Sequence, residues 1–217
     1  MNHVIYNKFD KKLINNLPIE SFDGNIVVIN SKPEVDKAIN YLKKTRIIGL
    51  DTETKPTFKK GHLNKVAILQ LATENWAFIF QLKFTGLSDE IIHFLQDDNI
   101  CKVGLSLKDD IHQLSQRRAF KPANFVDLQN LVKEIGIMDM SLQKIYANLF
   151  NKKISKSKQL SNWNADILNE GQKKYAALDA VACLRIYNKI QELKHTNNYT
   201  FQIVEETQTA QDEILNE

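Results

Sequence analysis

The chain has 217 residues, of which 43% are hydrophobic and 25% are charged, a composition typical of one globular domain with a sizeable core. No run of about 18 apolar residues occurs and the N-terminus lacks an apolar signal segment, so we expect neither a membrane span nor secretion. The net charge of +3 is uneven, because residues 202–217 carry five acidic side chains and no lysine or arginine. The remaining basic part would suit a polyanionic partner, although lysine-rich surfaces are often simply solvated.

The two cysteines indicate a reducing compartment. Cys101 and Cys183 each stand alone in an apolar segment, so a disulfide framework and a cysteine zinc site are both disfavoured. We therefore interpret both as small buried side chains and predict a cytoplasmic protein.

The hydrophobic pattern predicts strands first and then mostly helices. A short connection at residues 73–75 joins two apolar runs as a hairpin, and later apolar residues recur at helical spacing. This order predicts an α/β fold, with a mixed β-sheet flanked by helices. The predicted domain covers residues 25–193, between an N-terminal extension at 1–24 and an acidic polar tail at 194–217 that is a loose helix or disordered. The predicted strands are 25–29, 46–53, 64–72, 76–82 and 102–105, and the predicted helices are 31–44, 88–96, 107–118, 127–135, 141–149 and 171–193.

Asp51 and Glu53 lie two positions apart at the end of an apolar strand, so both project from one face. Like charges this close repel each other unless a cation joins them or one of them is protonated. The end of a buried strand is also where open α/β sheets tend to place their sites. An exposed acidic strand end remains the alternative for this pair taken alone.

Helix phase selects Asp110 over its neighbour Asp109. Asp110 falls on the side of Leu107 and Leu114, which is the apolar face of the predicted helix. Asp109 follows Ser106 by three residues, a spacing that allows a reciprocal cap. Asp110 is therefore the candidate ligand and Asp109 is interpreted as structural.

Asp179 lies on the apolar face of the last long helix, one turn after Tyr175. The chain has no zinc-protease, P-loop, nucleophile-elbow or dinucleotide-binding motif, and its five histidines are scattered. Carboxylates without cysteine or clustered histidine favour Mg²⁺ or Mn²⁺ over Zn²⁺.

In the order Asp51-x-Glu53, Asp110 and Tyr175-x-x-x-Asp179, the chain resembles the three exonuclease motifs of the DEDD 3′–5′ exonuclease superfamily. The tyrosine four residues before the last aspartate is similar to the tyrosine subgroup. Residues 61–71, 161–163 and 175–180 resemble the branch that contains ribonuclease D and the Werner-helicase exonuclease. The resemblance covers roughly residues 25–193. One departure is Asp166-Ile167-Leu168, where that branch commonly has a Pro-Leu pair, often preceded by arginine.

The resemblance implies an RNase H-like fold and removal of 5′-mononucleotides from the 3′ end of a nucleic acid, which is a single strand or the end of a duplex. It also implies two divalent cations, Mg²⁺ or Mn²⁺. Asp51 would bridge both cations, Glu53 and Asp179 would complete one coordination sphere, and Asp110 would hold the other cation through water. Tyr175 would orient the attacking water.

Candidate substrate contacts are Phe58, Leu71, Lys65 and Trp163, of which Phe58 and Leu71 either stack on bases or pack internally. Lysines at 55–65 and 152–158 either follow phosphates or form a solvated surface. A protein partner is left open. Two other functions also stay open at this point, namely a non-catalytic nucleic-acid- or protein-binding module with the same fold and an RNase H-like endonuclease.

Overall fold

The computed structural model of the protein describes residues 3–57 and 64–205. Its strands are β1 (His3–Tyr6), β2 (Asn25–Ile29), β3 (Ile47–Thr54), β4 (Val66–Ala72), β5 (Trp76–Gln81), β6 (Cys101–Gly104), β7 (Phe125–Asp127) and β8 (Tyr199–Gln202). Its helices are α1 (Lys11–Ile14), α2 (Lys32–Leu42), α3 (Leu82–Thr85), α4 (Asp89–Leu95), α5 (Leu107–Arg117), α6 (Leu128–Lys133), α7 (Leu142–Phe150) and α8 (Glu170–Thr196). Across these two ranges no helix has the length and apolar character that crossing a membrane requires.

Six strands form one mixed sheet in the order β2-β5-β4-β3-β6-β7. The hairpin strands β4 and β5 are antiparallel, as is the β3–β4 pair, whereas β2–β5, β3–β6 and β6–β7 are parallel. Two apolar layers cover the sheet. One face packs against α2, α4 and α5, and the other face packs against α6, α7 and α8. The predicted mixed α/β sheet with flanking helices is therefore confirmed.

Most predicted elements form within a few residues of their expected limits, but the chain termini differ from expectation. Residues Tyr199–Gln202 lie within the segment predicted as a loose tail, and they pair in parallel with β1 to form a separate two-stranded sheet. In the predicted N-terminal extension, Ile5 joins the core beneath α8, and Phe9 and Ile14 pack against Ala147. Both terminal segments therefore contribute to the packed structure.

The backbone of α8 passes very close to β3 at Gly49. A Cβ atom built at Gly49 would lie 1.9 Å from the carbonyl oxygen of Ala180, so only glycine allows this approach. Because Asp51 follows on the same strand face and Asp179 precedes Ala180, the close packing at Gly49 brings these two carboxylates together.

Gly49→Ala is expected to destabilise the protein by about 3 kcal/mol or more, because neither backbone can move without disturbing the core. Urea unfolding of parent and variant measures this difference. Gly171→Ala is the matched control, since its added methyl group would meet mainly the flexible end of Lys158. This variant should unfold at the same or a higher free energy than the parent, because alanine favours a helix more than glycine does. Equal stability of Gly49→Ala and the parent would contradict the role of the close approach.

Candidate metal centre

Three carboxylates converge where β3 passes beneath α8. Asp51 and Glu53 project from one face of β3, and Asp179 faces them from α8. One carboxylate oxygen from each residue lies within 4.8 Å of those of the other two. Asp179 is only 5% exposed, and its Oδ1 atom is buried without a hydrogen-bond partner. An all-oxygen donor set with such an unpaired buried atom fits a hard divalent cation.

The start of α8 is fixed by a capping box. Asn169 accepts a hydrogen bond from the backbone N–H of Gln172, and the Gln172 side chain accepts one from the backbone N–H of Asn169. The helix then continues for 27 residues, so that Tyr175 and Asp179 lie one turn apart on the side that faces the sheet.

Asp110 reaches the same end of β3 from the opposite layer. Thr52 alternates with Asp51 and Glu53 along the strand, and its hydroxyl donates a 2.5 Å hydrogen bond to Asp110 on α5. Asp110 is half-buried, whereas Asp109 is exposed, as helix phase predicts. Asp110 lies outside the group of three carboxylates, but its charge still acts on Asp51 and Glu53.

The predicted cap between Ser106 and Asp109 does not form. Ser106 adopts a left-handed conformation with φ 58°, and its side chain makes no capping hydrogen bond. Asp127 accepts hydrogen bonds from the backbone N–H groups of Ser106 and Leu107 at 3.1 and 2.9 Å, and also from that of Gln129. Asp127 is therefore the N-cap of α6, and it also fixes the start of α5, which carries Asp110.

Burial raises the pKa of every candidate ligand, and repulsion by the other candidate carboxylates adds to this rise for Asp51 and Glu53. Burial is the largest cause for each, and it raises the pKa of Glu53 to about 9, that of Asp179 to about 7 and that of Asp110 to about 6. The pKa of Asp51 is also raised well above its usual range, by burial and then by Asp179, Asp110 and Glu53. Carboxylates arranged in this way hold protons unless a cation replaces them.

Tyr175 packs beside the carboxylates and is supported by Trp163. The two ring centroids lie 5.9 Å apart, and the indole N–H of Trp163 donates to the carbonyl oxygen of Gln159. Burial, Asp179 and Glu53 raise the pKa of the Tyr175 hydroxyl, so it stays protonated at neutral pH.

The candidate substrate contacts differ in where the structure places them. Leu71 is 0% exposed within the core, and Trp163 is 1% exposed behind Tyr175. Neither side chain offers a surface for a base, so internal packing is the interpretation that the structure supports for both. Lys65 is exposed next to the start of β4, and Phe58 lies outside the described residues.

Three residues near the site are not among the site residues predicted from the sequence. Thr52 contacts Asp110, Asp127 holds α5 as well as α6, and Gln70 lies directly opposite Asp51 on β4. The sequence could have indicated Thr52, because it lies between Asp51 and Glu53. Successive side chains of a strand point to opposite faces, so Thr52 must face the other helical layer. A glutamine in the apolar run of β4 was the only signal for Gln70.

The six-stranded mixed sheet with its flanking helices is an RNase H-like fold. Escherichia coli RNase D, solved as an exoribonuclease involved in structured RNA processing, shares this fold with a TM-score of 0.71 at 21% identity. The match covers 79% of this chain and 45% of that chain. A family model described as 3′–5′ exonuclease matches residues 26–194. The chain therefore belongs to the 3′–5′ exonuclease family of the DEDD superfamily.

Two relatives show the extent of the similarity. A 3′–5′ exonuclease of Arabidopsis thaliana is 28% identical over 194 residues, which cover 82% of this chain and 67% of that protein. The bifunctional 3′–5′ exonuclease/ATP-dependent helicase WRN of Mus musculus is 29% identical over 194 residues, which cover 85% of this chain and 14% of that protein. The chain thus spans two thirds of one relative and about one seventh of the other.

Proposed function

We propose that this protein is a divalent-cation-dependent 3′–5′ exonuclease that releases 5′-mononucleotides from the 3′ end of a nucleic acid. The observation that carries the proposal is the convergence of the carboxylates of Asp51, Glu53 and Asp179. One of their oxygens, Oδ1 of Asp179, is buried without a hydrogen-bond partner. Asp110, which approaches the same strand end through Thr52, completes the motif order of the family. Membership of the family supports the same assignment.

Asp51, Glu53 and Asp179 would hold the cations, with Asp110 as the fourth carboxylate. Two Mg²⁺ or Mn²⁺ ions would activate a water molecule and stabilise the negative charge that develops on the phosphate oxygens. Ala176 and Ile68 belong to the apolar cluster against which Tyr175 packs. Lys156 is exposed, yet its charge is close enough to oppose the rise in the pKa of Asp179, so it is a candidate contact for a substrate phosphate.

Tyr175 would orient the attacking water by donating a hydrogen bond from its protonated hydroxyl. Tyr175→Phe is expected to lower the single-turnover rate about 100-fold, because it removes this orientation. Its Mn²⁺ affinity should fall by at most about tenfold, less than the rate, because Tyr175 is not among the proposed ligands and acts on them only through its hydrogen bond to Asp179. Rapid-quench kinetics and calorimetry measure the two quantities, and an unchanged rate would remove Tyr175 from the mechanism.

We further propose that the protein acts in the cytoplasm. Cys101 and Cys183 are both buried and unpaired, which supports a reducing compartment.

The test is a time course with Mn²⁺ on matched single-stranded RNA, single-stranded DNA and a duplex with a recessed 3′ end. A strand labelled at its 5′ end should shorten progressively, and the released product should be a 5′-mononucleotide. The same sequence closed into a circle should stay intact, because it has no 3′ end. Cleavage of the circle would instead indicate an endonuclease, and no degradation of any substrate would favour a binding module.

A further inference from the structure

Gln70 is a polar residue in the apolar strand β4, next to the proposed metal ligands on β3. It is directly opposite Asp51 in the β3–β4 pair, and its side chain is completely buried. Directly opposed residues project from the same face of a sheet, so the Gln70 amide and the Asp51 carboxylate share the face covered by α8. On the other side, β5 places the apolar Ile79 opposite Gln70.

The amide of Gln70 has no hydrogen-bond partner at either end. Its Nε2 and Oε1 atoms are both buried and unpaired, although buried amides in proteins are almost always bonded. The other buried amides within residues 3–57 and 64–205 are all bonded. Gln81 donates to the carbonyl oxygen of Ala165, and Asn148 bonds the backbone of Tyr6 at both ends. The Gln172 amide accepts from the backbone N–H of Asn169 and donates to the carbonyl oxygen of Asn162.

The apolar surroundings restrict what this amide can bond. Ile68 and Ala72, two positions away on β4, project from the same face and are apolar, as is Ile79. Of the polar side chains on this face of the neighbouring strands, Asp51 lies directly opposite Gln70, whereas Glu53 and Gln81 are level with Ile68. An amide N–H is also well suited to a carboxylate, because it donates a hydrogen bond without adding a positive charge that would compete with a cation.

We propose that Gln70 is a positioning residue for Asp51, which rests on the proposed function. When Asp51 is charged, the Nε2 group of Gln70, which has no partner in this structure, would donate a hydrogen bond to the Asp51 carboxylate and hold it in the orientation that binds the cation. Partners of this kind, which bond a ligand rather than the metal, commonly change metal affinity by about 10- to 100-fold. The amide is thus kept in an apolar layer for metal binding and not for stability.

The test replaces Gln70 by methionine, an unbranched side chain of similar length that retains the packing. Calorimetry of the full chain should give an Mn²⁺ dissociation constant about tenfold higher than that of the parent. The thermal midpoint of the metal-free variant should equal or exceed that of the parent, because an unpaired buried amide is removed. Asn148→Leu is the control, since it removes a buried amide whose two hydrogen bonds join α7 to the backbone of Tyr6 on β1. It should lower the midpoint and leave the Mn²⁺ dissociation constant unchanged.

An unchanged Mn²⁺ dissociation constant in Gln70→Met would overturn the positioning role, while metal binding and strand degradation by the parent would still support the proposed function. A parent protein that neither binds Mn²⁺ nor degrades any strand would overturn the proposed function itself. If the methionine variant does not fold, Gln70→Leu is judged by the same two measurements.

Discussion

Asp51→Asn is expected to abolish strand degradation and, at the same time, to make the metal-free protein more stable. The rate should fall by at least roughly 10³-fold, because a lost ligand removes more than the 10²–10³ that one stabilising donor supplies. The stability should rise because burial, and then repulsion by Asp179, Asp110 and Glu53, disfavour the charged form of Asp51 in the folded protein but not in the unfolded chain. Rates on a labelled strand and urea unfolding in a chelator give the two quantities.

The opposite signs of these effects separate a metal ligand from a structural residue, since a misfolded variant would lose both activity and stability. Asp109→Asn is the matched control, because Asp109 is an exposed acid on the same helix as Asp110. It should leave both quantities near the parent values. Full activity of Asp51→Asn would remove Asp51 from the site.

The free energy of unfolding of the metal-free protein is expected to fall as the pH rises from about 5 to 9. The pKa of Glu53 is raised to about 9 and that of Asp179 to about 7, whereas carboxylates in an unfolded chain titrate near 4. Between these values the folded state binds more protons than the unfolded state, so raising the pH favours unfolding. Each such group contributes about 1.4 kcal/mol per pH unit.

A bound cation takes the place of those protons, so saturating Mg²⁺ should remove most of this pH dependence. The measurement is urea unfolding at pH 5, 7 and 9, with a chelator and with Mg²⁺. Glu53→Gln separates the effect of the cluster from that of other titrating groups, such as His3. In chelator, the free energy of unfolding of this variant should fall less steeply with pH than that of the parent. Identical slopes in Glu53→Gln and the parent would show that the cluster is not protonated as described.

The candidate ligands could be predicted from the sequence because each lies in a regular element whose period fixes its direction. Alternation along β3 places Asp51 and Glu53 on one face, and helix phase separates Asp110 from Asp109 and brings Asp179 beneath Tyr175. These are local properties, and the structure reproduces the burial that they imply. The assignment of roles to the ligands stays a prediction.

Contacts that depend on packing between distant segments could not be predicted in the same way. The parallel pairing of β1 with β8 joins the two ends of the described chain, and no local pattern marks it. Leu71 and Trp163 were candidate substrate contacts, but both side chains are internal. Leu71 belongs to the apolar layer that includes α5, and Trp163 belongs to the apolar cluster against which Tyr175 packs. The interaction of Thr52 with Asp110 depends on how α5 packs against the end of β3.

The most direct test of the metal centre is an Mn²⁺ titration of the parent and Asp179→Asn by calorimetry, at a pH near 8. The parent should bind Mn²⁺ with the release of protons, because Glu53, whose pKa is about 9 in the metal-free protein, still holds its proton at that pH. Asp179→Asn should bind at least about tenfold more weakly. Equal binding by the two proteins, or no binding by the parent, would contradict the account of these carboxylates as a metal centre.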